Sequence, residues 1–333
     1  MGEAKRITSV DVAYEAGVSQ ATVARVFNSP GLVASETTAK VRRAADQLGY
    51  VPNAIARSLK SQRTNIIGAV VPTEGEYWQH VLTSFSRQLG VRDKQLLLFS
   101  FADQGEVDHV LETVAQYQVD GILLASAQIG QAQLGRMQGR NLPVVAFNQP
   151  AASGIVPSVS VDNEAGAATL ADHLVEQGCR SAIFVGGLSG ASTDQVRYRG
   201  AAQALGRSGV ALPYIEAGSF YYEDGYKIAG QILQDPLPDA LMVAGDELAF
   251  GVLDGLSSAG VSVPDDVFVT GFDGLPQTSW RAYDMTTLVQ STDVLVERAI
   301  ESLLTPVEPG RPTDIVVPGM LRIGNTTRRS NND

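Results

Sequence analysis

The hydrophobic positions change their period near residue 64. Before it they recur at helical intervals; after it, short continuous apolar runs alternate with amphipathic stretches. The first fifty residues predict three short helices. Thr8 or Ser9 is placed to cap the first, with Asp11 in its opening turn. Val10, Ala13 and Tyr14 sit at helical spacing along it, and Gly17 ends it. Ser19 caps a second helix running to about Phe27, with Val23 and Val26 inward, and Asn28-Ser29-Pro30-Gly31 reads as a loop. Ser35 is expected to cap the third, whose apolar face is Val41, Ala44, Ala45 and Leu48. Residues 52–60 predict a further short helix opened by Pro52. It is shorter than the about 12–15 residues an isolated helix needs to be even marginal in water, so it forms only when something holds it.

Beyond residue 64 the apolar runs at 66–71, 96–101, 121–125, 144–147, 182–185, 241–244 and 267–271 read as buried strands. Amphipathic stretches such as 107–117, 165–176 and 225–233 separate them. Strand–helix alternation predicts parallel sheets with helices on both faces. So many units in one chain predict two such sheets, with Val161-Asp162-Asn163 as a crossing point. The expected fold class is therefore α plus α/β: a three-helix head, a short helical link, and two α/β parallel-sheet subdomains.

Charge sharpens this division. The net charge is −11, yet residues 1–63 carry nine Lys/Arg against five Asp/Glu. A basic head on an acidic body is the asymmetry expected when only the head meets phosphates. A single cysteine, Cys179, leaves no internal disulfide framework and no cysteine-based zinc site. No apolar stretch approaches the roughly 18 residues of a membrane span, and the opening residues lack the apolar core of a secretory signal. A cytoplasmic protein with no membrane partner is expected.

Catalytic motifs are thin. G-x-S-x-G, Walker A and H-E-x-x-H are absent. The Gly-rich loop 186–190 follows a strand but lacks G-x-G-x-x-G; His80, His109 and His173 are isolated. Asp246 and Glu247 are adjacent and point apart, a poor acid/base pair. No enzyme, cofactor or metal is expected.

The run VDVAYEAGVSQATVARV at 10–26 places small Ala13 where two helices cross, Gly17 at the turn and Val23 inward. With the continuation Ala44, Leu48-Gly49-Tyr50-Val51-Pro52-Asn53 and Ala56-Arg57-Ser58-Leu59, it resembles the helix-turn-helix and hinge of the lactose-repressor (LacI/GalR) family of transcriptional regulators. The resemblance spans nearly the whole chain and is most specific in residues 8–63.

It implies a helix-turn-helix DNA-binding domain at 1–50, a hinge helix and linker at 51–63, and a ligand-binding and dimerisation domain at 64–333. The last divides into one subdomain at about 64–161 plus 292–320 and another at about 162–291 plus 321–333, of periplasmic-binding-protein type. Gln20, Ala21 and Arg25 are implied to address base edges in the major groove; Gln suits adenine and Arg suits guanine. Thr8, Ser19 and Asn28 are candidates for phosphate contacts, while Thr22, Asn53, Ala56 and Arg57 complete the DNA-facing set. Leu59 is implied to wedge between central base steps in the minor groove. Capping is the alternative role for Thr8 and Ser19.

For a small-molecule effector the resemblance nominates Tyr77, Trp78, Asn148, Thr193, Arg197, Phe220, Asp246, Asp273 and Gln290. Most follow strand carboxyl ends, where open α/β sheets bind ligands. Asp162 is read as a crossover residue. A repressor sensing a sugar or derivative is expected; the alternatives are the same regulator sensing a nucleobase or nucleoside, and a small-molecule-binding protein without DNA function. Arg197→Ala is expected to abolish the effector response and leave the unliganded fold intact. The tail after Thr326 carries no leucine heptad, which favours a homodimer on a pseudo-palindromic double-stranded operator.

Overall fold

The computed structural model describes residues 7–51, 63–102, 104–125, 142–149, 156–305 and 314–327. It divides into two compact units, Met1–Thr64 and Asn65–Asp333. The expected hinge residues Asn53, Ala56, Arg57 and Leu59 lie outside the described residues.

The first unit holds α1 (Ser9–Ala16), α2 (Gln20–Asn28) and α3 (Ser35–Leu48). At the start of α1 the Asp11 carboxylate accepts from both the N–H (2.8 Å) and the hydroxyl (2.7 Å) of Thr8. Gly17 takes the left-handed conformation (φ 64°) that turns the chain towards α2. Ser19 caps α2 by accepting from the Thr22 N–H at 3.1 Å. Val12, Ala13, Val23, Val26, Val41, Ala44 and Ala45 form the core, with Phe27 against Tyr50 at its edge.

Two local expectations are corrected. The buried residues of α1 are Val12 and Ala13; Val10 and Tyr14 face solvent, because the i, i+3, i+4 spacing defines a shared face without saying which face is inward. Ser35 is the first residue inside α3 rather than its cap, a place taken by Ala34 with no side-chain hydrogen bond.

The second unit contains two six-stranded sheets. The first joins β1 (Ile66–Pro72), β2 (Gln95–Phe101), β3 (Gly121–Leu124), β4 (Val144–Phe147), β5 (Ser158–Val161) and β11 (Asp314–Val317), in the order β11-β5-β4-β3-β1-β2. All its pairings are parallel. The second joins β6 (Ala182–Gly186), β7 (Tyr214–Glu216), β8 (Ala240–Val243), β9 (Phe268–Asp273), β10 (Thr286–Val289) and β12 (Met320–Arg322), in the order β12-β10-β9-β8-β6-β7. Only β10–β12 is antiparallel.

Helices cover both faces, as parallel sheets require. In the first sheet α4 (Glu76–Gly90) and α10 (Thr292–Leu304) bury Phe85, Leu89, Leu295 and Ile300 on one side. On the other, α5 (Val107–Val114) buries Val107, Leu111 and Val114. In the second sheet, α6 (Asn163–Glu176) and α7 (Ser192–Arg207) pack opposite α8 (Tyr222–Ile232) and α9 (Asp246–Ser258). Helices α8 and α9 touch backbone to backbone: a Cβ on Gly225 would strike the Leu248 carbonyl, and one on Gly251 that of Tyr222.

The chain passes between sheets at 161–163, at 289–292 and at 317–320. Met320 already pairs with Val289 in the second sheet, so the last crossing precedes the expected 320/321 boundary. Strand β2 is corrected from a buried strand to an edge strand. Of its seven residues only Phe101 is fully buried, and Leu98 stands 51 % exposed. Asp162 caps α6 at the first crossing, accepting from the Ala165 N–H at 2.9 Å. His173 is a packing histidine, buried and hydrogen-bonded to the Thr327 hydroxyl at 2.8 Å.

Candidate nucleic-acid interface and effector site

On α2, Ala21 and Arg25 are four residues apart and share an exposed face, with exposed Gln20 beside them; Val23 and Val26 hold the opposite face in the core. Gln20 is tethered, its Nε2 donating to Ser9 Oγ at 3.0 Å. Ser19 and Thr22 bond each other through their hydroxyls at 2.9 Å, so both serve the helix start. Thr8 and Asn28 are exposed at the ends of this motif.

In the second unit each sheet reverses its strand order once, between β1 and β3 and between β6 and β8. The loops leaving the carboxyl ends of these strands are where an open α/β sheet binds ligands. Tyr77 and Trp78 follow β1, Asn148 follows β4, Thr193 and Arg197 lie on α7 after β6, and Asp246 opens α9 after β8. Asp273 ends β9 and Gln290 follows β10.

Four of these residues, Tyr77, Arg197, Asp273 and Gln290, form one network with Asn163. Arg197 is 4 % exposed and fully engaged: Nε donates to Asn163 Oδ1 at 2.8 Å, one terminal nitrogen to the Ala244 carbonyl, the other to Asp273 Oδ1 at 3.1 Å. Its guanidinium lies 3.7 Å from the Phe272 ring centroid, a cation–π contact. Gln290 Nε2 donates to the same Asp273 oxygen at 2.6 Å, and Gln290 Oε1 accepts from the Tyr77 hydroxyl at 3.2 Å. That last bond joins the two sheets' segments. Asp273 holds φ at 123°, a strained backbone for a residue with a side chain, of the kind that concentrates at functional sites.

Asp246 is fully buried beneath this network. Its carboxylate accepts from the Thr287 hydroxyl (2.6 Å) and the Leu275 N–H (2.7 Å). Burial, then the neighbouring charge of Asp273, push its pKa up to about 7 against those hydrogen bonds. Burial also raises the Asp273 carboxyl, opposed chiefly by Arg197 and Gln290, and raises the Tyr77 hydroxyl. Phe220 covers Gly187, Trp78 meets Tyr77 edge-on at 5.1 Å, and Thr193 is buried in the first turn of α7. Asn148 takes φ 54° and its Oδ1 is buried without a hydrogen-bond partner among the described residues.

Sequence reasoning missed Asn163 and Thr287, which position Arg197 and Asp246, and the rim residue Glu247. The Glu247 carboxylate accepts from the Glu76 N–H at 2.9 Å, so a side chain of the second subdomain caps the start of α4 in the first. Asn163 was findable as the last residue of the predicted crossing point, at the start of α6. Asp194 was not: its Oδ2 folds the 187–191 loop by accepting from the Leu188 N–H, and burial pushes its pKa up to about 6. The fit of Arg197 also changes one expectation. A guanidinium with three internal acceptors is part of the unliganded fold, so its removal does not leave that fold intact.

Residues 8–53 match the profile of the bacterial regulatory proteins of the lacI family, and residues 171–327 that of the periplasmic binding protein-like domain. The catabolite control protein A of Priestia megaterium is 31% identical over 290 residues, covering 85% of this chain and 87% of that protein. The chain belongs to the lacI family of bacterial regulatory proteins. The HTH-type transcriptional repressor PurR of Glaesserella parasuis serovar 5 is 30% identical over 321 residues, 94% of each chain. The ribose operon repressor of Escherichia coli K12 is 30% identical over 303 residues, 89% of this chain and 92% of that one. The lac repressor dimer bound to operator and the anti-inducer ONPF shares the fold, with a TM-score of 0.86, 22% identity and coverage of 97% and 99%. These lacI-family relatives are named as regulators, not enzymes. Like them, the chain is a DNA-binding transcriptional regulator. No helix among the described residues is long and apolar enough to cross a membrane.

The raised carboxyls make a prediction of defined sign. A carboxyl with a higher pKa folded than unfolded stabilises the fold below its ordinary range, and that contribution is lost as pH rises through the folded value. For Asp194 and Asp246 the loss runs up to about 6 and about 7. The melting temperature of the second unit is expected to fall between about pH 4 and about pH 7, and Asp246→Asn to flatten that fall. The amide oxygen replaces the carboxylate at the Leu275 N–H, and the Thr287 hydroxyl turns to accept. An unchanged slope in the variant rejects Asp246 as its source.

Proposed function

We propose that this regulator is an effector-gated repressor, working as a homodimer on a pseudo-palindromic operator and responding to an uncharged sugar or sugar-like metabolite. The observation that carries the reading is the Tyr77–Gln290–Asp273–Arg197 network, a set of polar groups shared between two subdomains at their ligand-binding ends. A small molecule held there contacts both subdomains and therefore biases their relative angle.

The charge of the site favours a neutral effector. Arg197 is its buried cation and is already paired with Asp273, while Glu76 and Glu247 stand at the rim. An anionic phosphate meets carboxylates there, and the Arg197 guanidinium is already paired. Asp246 and Glu247 are given no catalytic role; Asp246 is sealed beneath Leu275 and Thr287.

In this mechanism Gln20, Ala21 and Arg25 read each half-site, the hinge segments 52–60 of two copies pair at its centre, and Leu59 wedges there. Effector binding shifts the stability of the paired hinges. Coupling of about 1–3 kcal/mol changes operator affinity by about 5–150-fold. The exposed apolar edge at Leu98 supports the homodimer, since such an edge is normally covered. The protein acts where the DNA is, in the cytoplasm.

Selection of bound duplexes from a random pool, at one stated salt concentration, tests the reading. A two-fold symmetric site is expected to enrich. Arg25→Ala is expected to lose about 1–3 kcal/mol of preference at one base pair of each half-site and little elsewhere. No enrichment, with or without pooled sugars and nucleobases, rejects the operator-binding reading.

A further inference from the structure

Helix α4 of the first subdomain starts without a side-chain cap of its own. Its N-cap, Gly75, has no oxygen to offer and takes φ 112°, a conformation that favours glycine. The first N–H groups of a helix have no partner within it and must be satisfied from outside. Here the partner comes from the other subdomain. Glu247, in the first turn of α9, accepts from the Glu76 N–H at 2.9 Å. Gln277, in the 3-10 turn Pro276–Ser279, donates through Nε2 to Glu76 Oε2 at 3.2 Å. One residue of the first subdomain is thus gripped by two of the second, at its backbone and at its side chain.

The grip is close and it is opposed. A Cβ on Gly75 would meet Tyr221 Cε1 at 3.6 Å and Glu247 Oε2 at 3.8 Å, both from the second subdomain. Burial raises the Glu247 carboxyl above its ordinary range, the Glu76 N–H opposes that, and the charges of Glu76, Glu223 and Asp273 raise it further. Carboxylates that repel one another are therefore held together by two hydrogen bonds, each of which water replaces once the groups part. Such a contact closes without being permanent. It also stands next to the polar network, since Glu76 precedes Tyr77, whose hydroxyl bonds Gln290. Arg197 and Gln290 are only 4 % and 3 % exposed as the subdomains stand, so a molecule reaches them when the subdomains part.

We propose that Glu247 and Gln277 form with Glu76 a clasp between the subdomains, which opens to let an effector in or out. This inference rests on the effector-gated reading above. Glu247 acts as a positioning residue: it holds the start of α4, and with it Tyr77, against the second subdomain. The clasp closes before binding and again after it. Cutting it therefore speeds entry and exit alike and leaves affinity nearly unchanged. A residue that touched the effector would change affinity instead.

The test uses the full chain in a Trp280→Phe background, which leaves Trp78 of the sequence's two tryptophans. Trp78 lies edge-on to Tyr77, and Tyr77 packs against a core of the second subdomain. Acrylamide quenching of Trp78 before any effector is added therefore reports the parting of the subdomains. Glu247→Ala is expected to raise the quenching, while Glu247→Gln, whose amide oxygen accepts the same N–H, stays near wild type. Thermal shift with pools of unphosphorylated sugars, their phosphate esters, nucleobases and nucleosides then finds the responding compound, a sugar on the reading above. Stopped flow measures its exchange. In Glu247→Ala the association and dissociation rate constants are both expected to rise roughly 10-fold, with Kd within a factor of about 3 of wild type. Gln277→Ala is expected to raise both by less. Unchanged quenching and rates in Glu247→Ala overturn the proposal. So does a changed Kd with unchanged quenching, which makes Glu247 an effector contact and not a gate. Raised quenching with no response to any pool keeps the clasp and rejects the effector reading.

Discussion

Arg197→Ala is expected to destabilise the second unit by about 3–5 kcal/mol and to silence the effector response. The cost arises from what is left behind. The Asp273 carboxyl loses its cation, the Asn163 amide and the Ala244 carbonyl lose their donor, and the Phe272 ring loses the guanidinium over its face. Breaking a buried pair by deleting one partner strands the other charge in a poor solvent, which costs more than the intact pair contributes. Asp246 worsens the balance, since it stands beside Asp273 and repels it. The control is Arg197→Ala combined with Asp273→Asn, which removes the stranded charge and is expected to recover part of the stability without restoring the response. Urea unfolding at neutral pH measures both variants. A single variant within about 1 kcal/mol of wild type shows that the ion pair is not the keystone described.

How much of this was legible beforehand follows from which forces leave a trace in the sequence. Six of the seven strands predicted from apolar runs are those whose burial on both faces needs an unbroken run, such as Gly121–Leu124 and Val144–Phe147. The strands not anticipated are short, polar or at edges. Ser158–Val161 alternates Ser and Val, Thr286–Val289 opens with two threonines that bond Asp246 and the closing turn, and Asp314–Val317 and Tyr214–Glu216 lie at sheet edges. The reading of Leu98 as buried failed because an edge strand has the composition of a central one.

The candidate site divides similarly. Arg197, Asp273 and Gln290 were reachable from the resemblance, and the structure brings them within hydrogen-bond reach of one another. Asn163, which supports Arg197, and Thr287, which supports Asp246, carry no motif, because a positioning residue is defined by where the fold brings it. Glu247 is the clearest case. Its partner is a backbone N–H 171 residues away, and nothing about a glutamate in a helix's first turn announces a bond to another helix.

Val23→Asp is expected to remove operator binding altogether while leaving the effector site intact. Val23 is 1 % exposed and sits with Val12, Val26, Val41 and Ala44 in a core of seven buried residues among those described. A unit this small has little stability to spare. Losing one buried Val costs about 1.5–3 kcal/mol, and placing a carboxylate without a partner in its stead adds several more. The sum exceeds what such a core supplies, so α2 is no longer held with Ala21 and Arg25 on its outer face. The second unit has its own cores, built among the described residues from its own side chains, so its melting and its ligand-induced shift are expected to match wild type. Fluorescence anisotropy with the selected duplex, at fixed salt, reads the first half; thermal shift with the responding sugar reads the second. Val26→Ala, which shortens a neighbouring core side chain without adding charge, is expected to weaken binding only partly. Retained operator affinity in Val23→Asp contradicts the inward assignment of that helix face. A lost effector response in the same variant shows instead that the two units do not fold independently, and that gating reaches into the head's own stability.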